Sequence, residues 1–159
     1  MALSHTIRNP DSPDRRSSER RGIHLATLTD QIGEVLAKAK TIAVVGLSSS
    51  PLRPSYGVAA YMQSNGYRII PVNPSINGAL GEKAVPTLSD VPEKIDIVNV
   101  FRRSEAVPEI VDEAIRLKVP VLWLQEDVIH EAAAEKARQA GITVLMDKCI
   151  LKEHRKRHR

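Results

Sequence analysis

The sequence has few of the residues that support disulfide-rich, aromatic-rich or membrane-embedded proteins. It has one cysteine, one tryptophan, one phenylalanine and three tyrosines, so an internal disulfide is excluded and the core must come mainly from Val, Ile, Leu and Ala. The longest apolar runs, such as Ile42 to Leu47, are far shorter than the roughly 20 residues that a bilayer-spanning helix needs. Met1 to Gly22 contain no continuous apolar stretch, which argues against a secretory signal. These features predict a cytoplasmic protein with no membrane association.

The formal net charge of +4 is concentrated at the two ends of the sequence. The basic residues there are Arg15, Arg16, Arg20 and Arg21, and then Lys152, Arg155, Lys156, Arg157 and Arg159. No aromatic residues are interleaved with them to stack on bases, which argues against a nucleic-acid partner. We therefore predict three parts: a flexible leader over residues 1–23, one domain over 24–151, and a solvated, partly disordered basic tail over 152–159.

Between these ends, short β-branched apolar runs alternate with segments of helical periodicity. A first helix is predicted from about Thr29 to Ala39. The predicted strands are Thr41–Gly46, Tyr67–Val72, Ile95–Val100, Val119–Leu124 and Ile142–Met146. The helices predicted between them are Ser55–Asn65, Ala106–Leu117 and Asp127–Ala140, with a short helical turn near Thr87–Val91. The alternation predicts an α/β fold, a Rossmann-like three-layer sandwich around a five-stranded parallel sheet.

Sheets of this kind bind ligands beyond the carboxyl ends of their strands. The first predicted strand is followed by Gly46, then by a loop with several hydroxyl groups, Arg53, and a helix start at Ser55. Free amides and the helix dipole at such a start attract phosphate, and an arginine provides a matching cation. The alternative is an ordinary connecting loop in which Ser55 caps its helix.

Two common nucleotide motifs are missing from this loop. Gly46 is not followed by the further glycines of G-x-G-x-x-G, and no Gly-Lys-Ser/Thr of a P-loop is present. Asn73 stands after the second strand, where a nicotinamide site usually has an acidic residue. A hydride-transfer enzyme is therefore disfavoured.

The third and fourth strands end in large polar or aromatic groups. Phe101, Arg102 and Arg103 follow the third strand, and the two arginines suit a ligand with several phosphates. The alternative is that they pair with nearby glutamates, Glu105 or Glu109. Trp123, which precedes Leu124-Gln125 at the next strand end, belongs either to this edge or to the core.

Several short motifs occur together in a recognisable order. They are Gly46-Leu47-Ser48, Arg53-Pro54-Ser55, Pro71-Val72-Asn73-Pro74, Gly81-Glu82, Val100-Phe101-Arg102-Arg103, Trp123-Leu124-Gln125 and Met146-Asp147-Lys148-Cys149. Together they resemble the small stand-alone CoA-binding proteins, whose domain is similar to the N-terminal domain of the succinyl-CoA synthetase α subunit. The resemblance covers roughly Ala37 to His154.

The resemblance implies that coenzyme A lies across the carboxyl edge of the sheet. It implies phosphate contacts from Gly46, Leu47, Ser48, Ser49, Arg53, Pro54, Ser55, Tyr56 and Gly57. It places Val72, Asn73 and Pro74 on the adenosine side, and Val100, Phe101 and Arg102 over the nucleotide or the start of the pantetheine arm. Arg53, Arg102 and Arg103 are the candidates for charge compensation.

The resemblance also bears on catalysis. The phosphohistidine of the synthetase lies in a second domain that is not found in this sequence, and no catalytic constellation or metal-ligand spacing is evident here. We therefore expect a CoA- or acyl-CoA-binding carrier, sensor or regulatory module without catalysis. The alternative is the nucleotide-binding subunit of an acyl-CoA ligase or transferase that acts with a partner chain. A protein partner or a homodimer stays open, and Cys149 is either a buried inert thiol or a thiol that meets the CoA sulfur.

Overall fold

The structure, a computed structural model, describes residues 31–158. The predicted leader over residues 1–23 lies outside the described residues. The chain divides into two units at the boundary between Ala37 and Lys38. The structure describes a helix, α1, over residues 31–38, which belongs to the first unit up to Ala37. The beginning of the helix predicted from Thr29 falls outside the described part.

The second unit contains the predicted five-stranded parallel sheet. The strands of the sheet are β1 (Thr41–Val45), β2 (Arg68–Val72), β5 (Ile97–Val100), β6 (Val121–Leu124) and β7 (Thr143–Leu145). Four helices accompany them, α2 (Pro54–Ser64), α3 (Val107–Leu117), α4 (Glu131–Gln139) and α5 (Ile150–Arg157). Short 3-10 helices span Leu88–Asp90 and Ser104–Ala106. The Rossmann-like α/β fold class is therefore confirmed.

The order of the strands in the sheet, β2-β1-β5-β6-β7, fixes where a crevice opens. From β1 the chain moves to β2 on one side, and from β2 it returns past β1 to β5 on the other side. Val45, the last residue of β1, pairs with Val72 of β2 and with Val100 of β5. Because the strand order reverses at this point, the connections after β1 and β5 diverge and leave space above their carboxyl ends.

Helices cover both faces of the sheet. On one face, apolar residues of α3 and α4 share a buried cluster with alternate residues of the strands, including Val45, Val100 and Leu122. The opposite strand residues, such as Ile42 and Trp123, are also fully buried. Burial on both faces explains why these strands are continuous apolar runs rather than alternating ones.

Three features differ from the predictions. A two-stranded antiparallel hairpin, β3 (Gly78–Ala79) and β4 (Glu82–Lys83), was not anticipated. Helix α4 begins at Glu131 rather than Asp127, because Asp127 has a φ of 69° and the His130 side chain accepts the N–H of Ala133 as an N-cap.

The third difference is at the C-terminal end. Residues 152–157, predicted as part of a solvated, partly disordered basic tail, are the later part of α5. The helix is fixed because Ile150 and His154, one turn apart, are both buried. Among the described residues, no helix has the length and apolar character needed to cross a bilayer.

Candidate functional site

A cleft of about 800 Å³ lies above the carboxyl ends of β1, β5 and β6. This is the position that the reversal of strand order predicts for a ligand. The cleft is lined by Gly46, Ser48, Arg53, Pro54, Ser55, Val58, Asn73, Ile76, Phe101, Arg102, Arg103, Gln125, Glu126, Asp127, Val128 and Cys149.

Gly46 lets the ends of three strands approach one another closely. Its N–H donates to the carbonyl of Val72 at 2.9 Å, and the N–H of Phe101 donates to the carbonyl of Val45 at 2.8 Å. Gly46 has a φ of 88°, and a Cβ added to it would lie 2.2 Å from the carbonyl oxygen of Phe101 and 2.9 Å from Cδ of Arg102. Only glycine therefore fits here, and its missing side chain lets the Arg102 side chain lie directly against it.

Side-chain hydrogen bonds hold the loop after Gly46. The N–H of Ser48 donates to Oγ of Ser55 at 3.0 Å, and the N–H of Ser50 donates to Oγ of Ser48 at 3.0 Å. From the neighbouring connection, Nδ2 of Asn73 donates to the carbonyl of Leu47 at 3.0 Å. The loop is thus organised before any ligand arrives, which lowers the entropic cost of binding.

The N-terminus of α2 faces the cleft without a side-chain cap. Arg53 occupies the N-cap position, Pro54 begins the helix, and the first turn contains no acidic residue. Ser55 does not cap α2, because its hydroxyl accepts the N–H of Ser48 instead. The positive end of the helix dipole is therefore left to an external anion.

Three arginines line the same cleft as this helix terminus. Arg53, Arg102 and Arg103 are exposed and line the cleft. Within residues 31–158, none of them forms an ion pair with a carboxylate, so the alternative of pairing with Glu105 or Glu109 is not observed. Unpaired guanidinium groups and an uncapped helix start in one cleft are chemically suited to a ligand that carries several phosphates.

The side of the cleft at β6 has a different character. Glu126 and Asp127 are exposed there, and Glu126 accepts a hydrogen bond from Nζ of Lys152 at 2.9 Å. That bond, with the Glu126 charge, raises the pKa of Lys152. Val128 and Cys149 are largely buried residues of the same wall. This half carries no unpaired cation among its described lining residues, so it suits a neutral part of a ligand.

Of the predicted site residues, nine line the cleft. They are Gly46, Ser48, Arg53, Pro54, Ser55, Asn73, Phe101, Arg102 and Arg103. Leu47, Val72 and Val100 are buried in the core beneath it, and Ser49, Tyr56, Gly57 and Pro74 do not line it. Trp123 is core: it is fully buried and its Nε1 donates to the carbonyl of Lys148 at 2.9 Å.

Some lining residues were not predicted as site residues. Gln125, Glu126, Asp127 and Val128 directly follow β6, so the rule that identified Arg102 and Arg103 after β5 also applies to them. Val58 lies one turn after Pro54 on α2, and helical spacing places it on the same side. Ile76 lies in the long connection after β2 and carries no sequence signal that singles it out.

The buried histidine of the described residues lies outside the cleft. Nδ1 of His154 is 2.8 Å from the hydroxyl of Tyr61, and the ring stacks on His158 with centroids 3.9 Å apart. Burial and then the neighbouring charge of His158 lower the pKa of His154. The cluster fastens α5 to α2. Among residues 31–158, no group of His, Cys, Asp or Glu is arranged to hold a metal ion, and none of His130, His154 and His158 lines the cleft.

Comparison with known proteins identifies the group to which this chain is related. The uncharacterized protein YneT of Bacillus subtilis is 48% identical over 124 residues, which are 78% of this chain and 92% of that protein. The solved structure of cell-free ID.343 from Thermus thermophilus is 37% identical, with a TM-score of 0.77, and the match covers 80% of this chain and 97% of that one.

A relative with an enzymatic name matches a shorter region. Acetate–CoA ligase [ADP-forming] II of Archaeoglobus fulgidus is 30% identical over 76 residues, 46% of this chain but only 11% of the ligase. Residues 40–155, most of the chain, match the family described as CoA binding domain. That range contains the whole β1–β7 sheet and every residue that lines the cleft, and the chain therefore belongs to the CoA-binding domain family.

Proposed function

We propose that this chain binds coenzyme A or an acyl-CoA in the cleft and acts without catalysis of its own, as a carrier, sensor or regulatory module. The observation that carries the proposal is the group of unpaired arginines, Arg53, Arg102 and Arg103, around the uncapped start of α2. CoA carries three phosphate groups on its nucleotide half, which match that arrangement. The family to which the chain belongs supports the same ligand.

One residue of the cleft, Asn73, supports a ligand other than NAD. Asn73 occupies the place after β2 where a nicotinamide site has a carboxylate for the ribose. The amide of Asn73 is engaged with the loop, since Nδ2 donates to Leu47 and Oδ1 accepts the N–H of Ser75 at 2.9 Å. Asn73 thus shapes the site and leaves no carboxylate to select a free ribose hydroxyl.

The absence of catalysis is proposed from the lining of the cleft. Its described titratable groups are arginines, two exposed acids and Cys149, and none of the described histidines is near enough to line it. The thiol of Cys149 is largely buried. No nucleophile with an adjacent general base is brought together in the described cleft, which is what covalent catalysis would require.

The experiment is a calorimetric titration of CoA into the wild type, Arg102→Ala and Arg138→Ala. Arg102 lines the cleft, whereas Arg138 is an exposed arginine on α4, so Arg138→Ala controls for the loss of one positive charge. We expect about tenfold weaker binding for Arg102→Ala, since a charge-assisted contact is lost, and an unchanged affinity for Arg138→Ala. NAD should not bind. Properly folded wild-type protein that does not bind CoA would refute the proposal.

A second function has one observation in its favour. The match to a segment that makes up 11% of an ADP-forming acetate–CoA ligase supports a nucleotide-binding subunit that works with a catalytic partner chain. Stable co-purification with a larger acyl-CoA ligase subunit would favour this function. Isolation of a CoA-loaded chain without such a partner would favour the stand-alone role.

A further inference from the structure

Two amide side chains are buried together at the carboxyl ends of β5 and β6. Asn99 is 1% exposed and Gln125 is 4% exposed. Nε2 of Gln125 donates to Oδ1 of Asn99 at 2.7 Å. Asn99 is the polar residue of a strand that otherwise reads Ile97, Val98 and Val100. Burying an amide is costly unless it is hydrogen-bonded, so a polar pair at this position needs a reason.

The pair leaves one acceptor open toward the cleft. Within the described residues, Oε1 of Gln125 accepts no hydrogen bond. No fully enclosed side-chain nitrogen or oxygen of the described residues lacks a partner, so this oxygen is not sealed inside the core. Gln125 lines the cleft. Asn99 therefore holds one end of the amide, and the other end presents a fixed carbonyl oxygen to a ligand.

The charges of the cleft determine which part of CoA reaches Gln125. The unpaired arginines and the start of α2 lie on the side of β1 and β5. Beside Gln125 lie Glu126, whose charge is paired with Lys152, and Asp127, whose carboxylate forms no ion pair among the described residues and disfavours phosphates there. The other half of CoA is the pantetheine arm, which is uncharged and contains two amide groups with N–H donors. With the nucleotide at the arginines, the arm extends toward β6.

We propose that Oε1 of Gln125 accepts a hydrogen bond from an amide N–H of the pantetheine arm, and that Asn99 is the residue that positions it. The cleft thereby selects CoA over ligands that carry only its nucleotide half. This inference rests on the proposed function. The packing of the sheet does not require the Asn99–Gln125 pair, and this inference gives the pair a role in ligand specificity.

The test compares two ligands in calorimetric titrations. One is CoA, and the other is 3′-phosphoadenosine 5′-diphosphate, which is CoA without its pantetheine arm. Gln125→Met preserves the length of the side chain and removes the acceptor. We expect it to weaken CoA binding about threefold to tenfold, the value of one hydrogen bond, and to leave the affinity for the truncated ligand unchanged. Gln139→Met, at an exposed glutamine of α4, is the matched control.

A second variant separates the loss of the acceptor from a defect in folding. Gln125→Met leaves Asn99 without its partner, whereas Asn99→Leu combined with Gln125→Met makes both positions apolar and avoids an unpaired buried amide. This double variant should lose CoA affinity to the same extent as Gln125→Met. Equal weakening of both ligands, or a double variant with wild-type CoA affinity, would overturn the inference alone. Wild-type protein that binds neither ligand would overturn the proposed function as well.

Discussion

Replacement of Gly46 by alanine tests how closely the ends of β1 and β5 must approach. Gly46 combines a φ of 88° with a backbone carbonyl, that of Phe101, only 2.2 Å from the place of an added Cβ. Gly141, after α4, has a φ of 92° but no neighbouring atom within 4 Å. The two glycines thus have nearly the same positive φ and differ in the space around them, so Gly141→Ala is the control for Gly46→Ala.

The expected losses of stability follow from the backbone conformation and from the space around each glycine. A left-handed conformation costs a non-glycine residue about 1–2 kcal/mol, and both variants incur this cost. Both also gain equally from the lower entropy of the unfolded chain. Only Gly46→Ala must displace the Phe101 carbonyl, which adds about 1–3 kcal/mol of overpacking. Gly46→Ala should therefore be the less stable variant by that difference.

The assay is urea denaturation of the two variants and the wild type, followed by far-UV circular dichroism. Because the displaced segment carries Arg102, Gly46→Ala should also weaken CoA binding, whereas Gly141→Ala should not. Equal loss of stability in the two variants would show that the approach of Phe101 to Gly46 is not a constraint on this fold. Retention of full CoA affinity by Gly46→Ala would refute the link between this approach and the cleft.

Three further predictions concern groups outside the cleft. Because burial lowers the pKa of His154, the unfolded chain binds a proton at this histidine more readily than the folded chain does. The free energy of unfolding should therefore fall as the pH drops below about 6.5. Denaturation midpoints measured at pH 5 and pH 7 should differ less for His154→Phe than for the wild type. Trp123→Phe should lower the free energy of unfolding by about 1–3 kcal/mol, because it removes both buried volume and the hydrogen bond to Lys148. An unchanged unfolding midpoint would contradict this. The hydrogen bond from Arg68 holds the pKa of Glu93 below its ordinary 4.5. An NMR titration of Arg68→Ala should show the pKa of Glu93 rising toward that value. An unchanged pKa of Glu93 would contradict the ion pair between Arg68 and Glu93.

The sheet could be predicted from the sequence because its strands are buried on both faces. Runs such as those around Val44 and Leu122 are apolar, short and rich in β-branched or bulky residues, and a glycine or proline flanks each of them, which favours a buried strand over a buried helix segment. The hairpin of β3 and β4 could not be predicted, since each strand has two residues and shows no periodicity. Helix α5 was missed because its buried positions include a histidine, His154, among basic residues that usually indicate a solvated segment.

The candidate site could be predicted from the sequence where distinctive residues follow the end of a strand. Gly46 and the Arg102–Arg103 pair each follow a strand, and the structure brings them to the same cleft. The open acceptor of Gln125 was not foreseeable, because it depends on which amide atom Asn99 engages. The placement of Ile76 depends on the path of a long connection, which local sequence does not determine.

The most direct test of the account is an NMR titration of the isotopically labelled chain with CoA. We expect saturable chemical-shift changes at the backbone amides around Gly46, Ser55, Arg102 and Gln125, with little change at the opposite end of the sheet near Lys94. Shifts that cluster near Lys94, or no shifts at all in the folded protein, would contradict the assignment of this cleft as the CoA site.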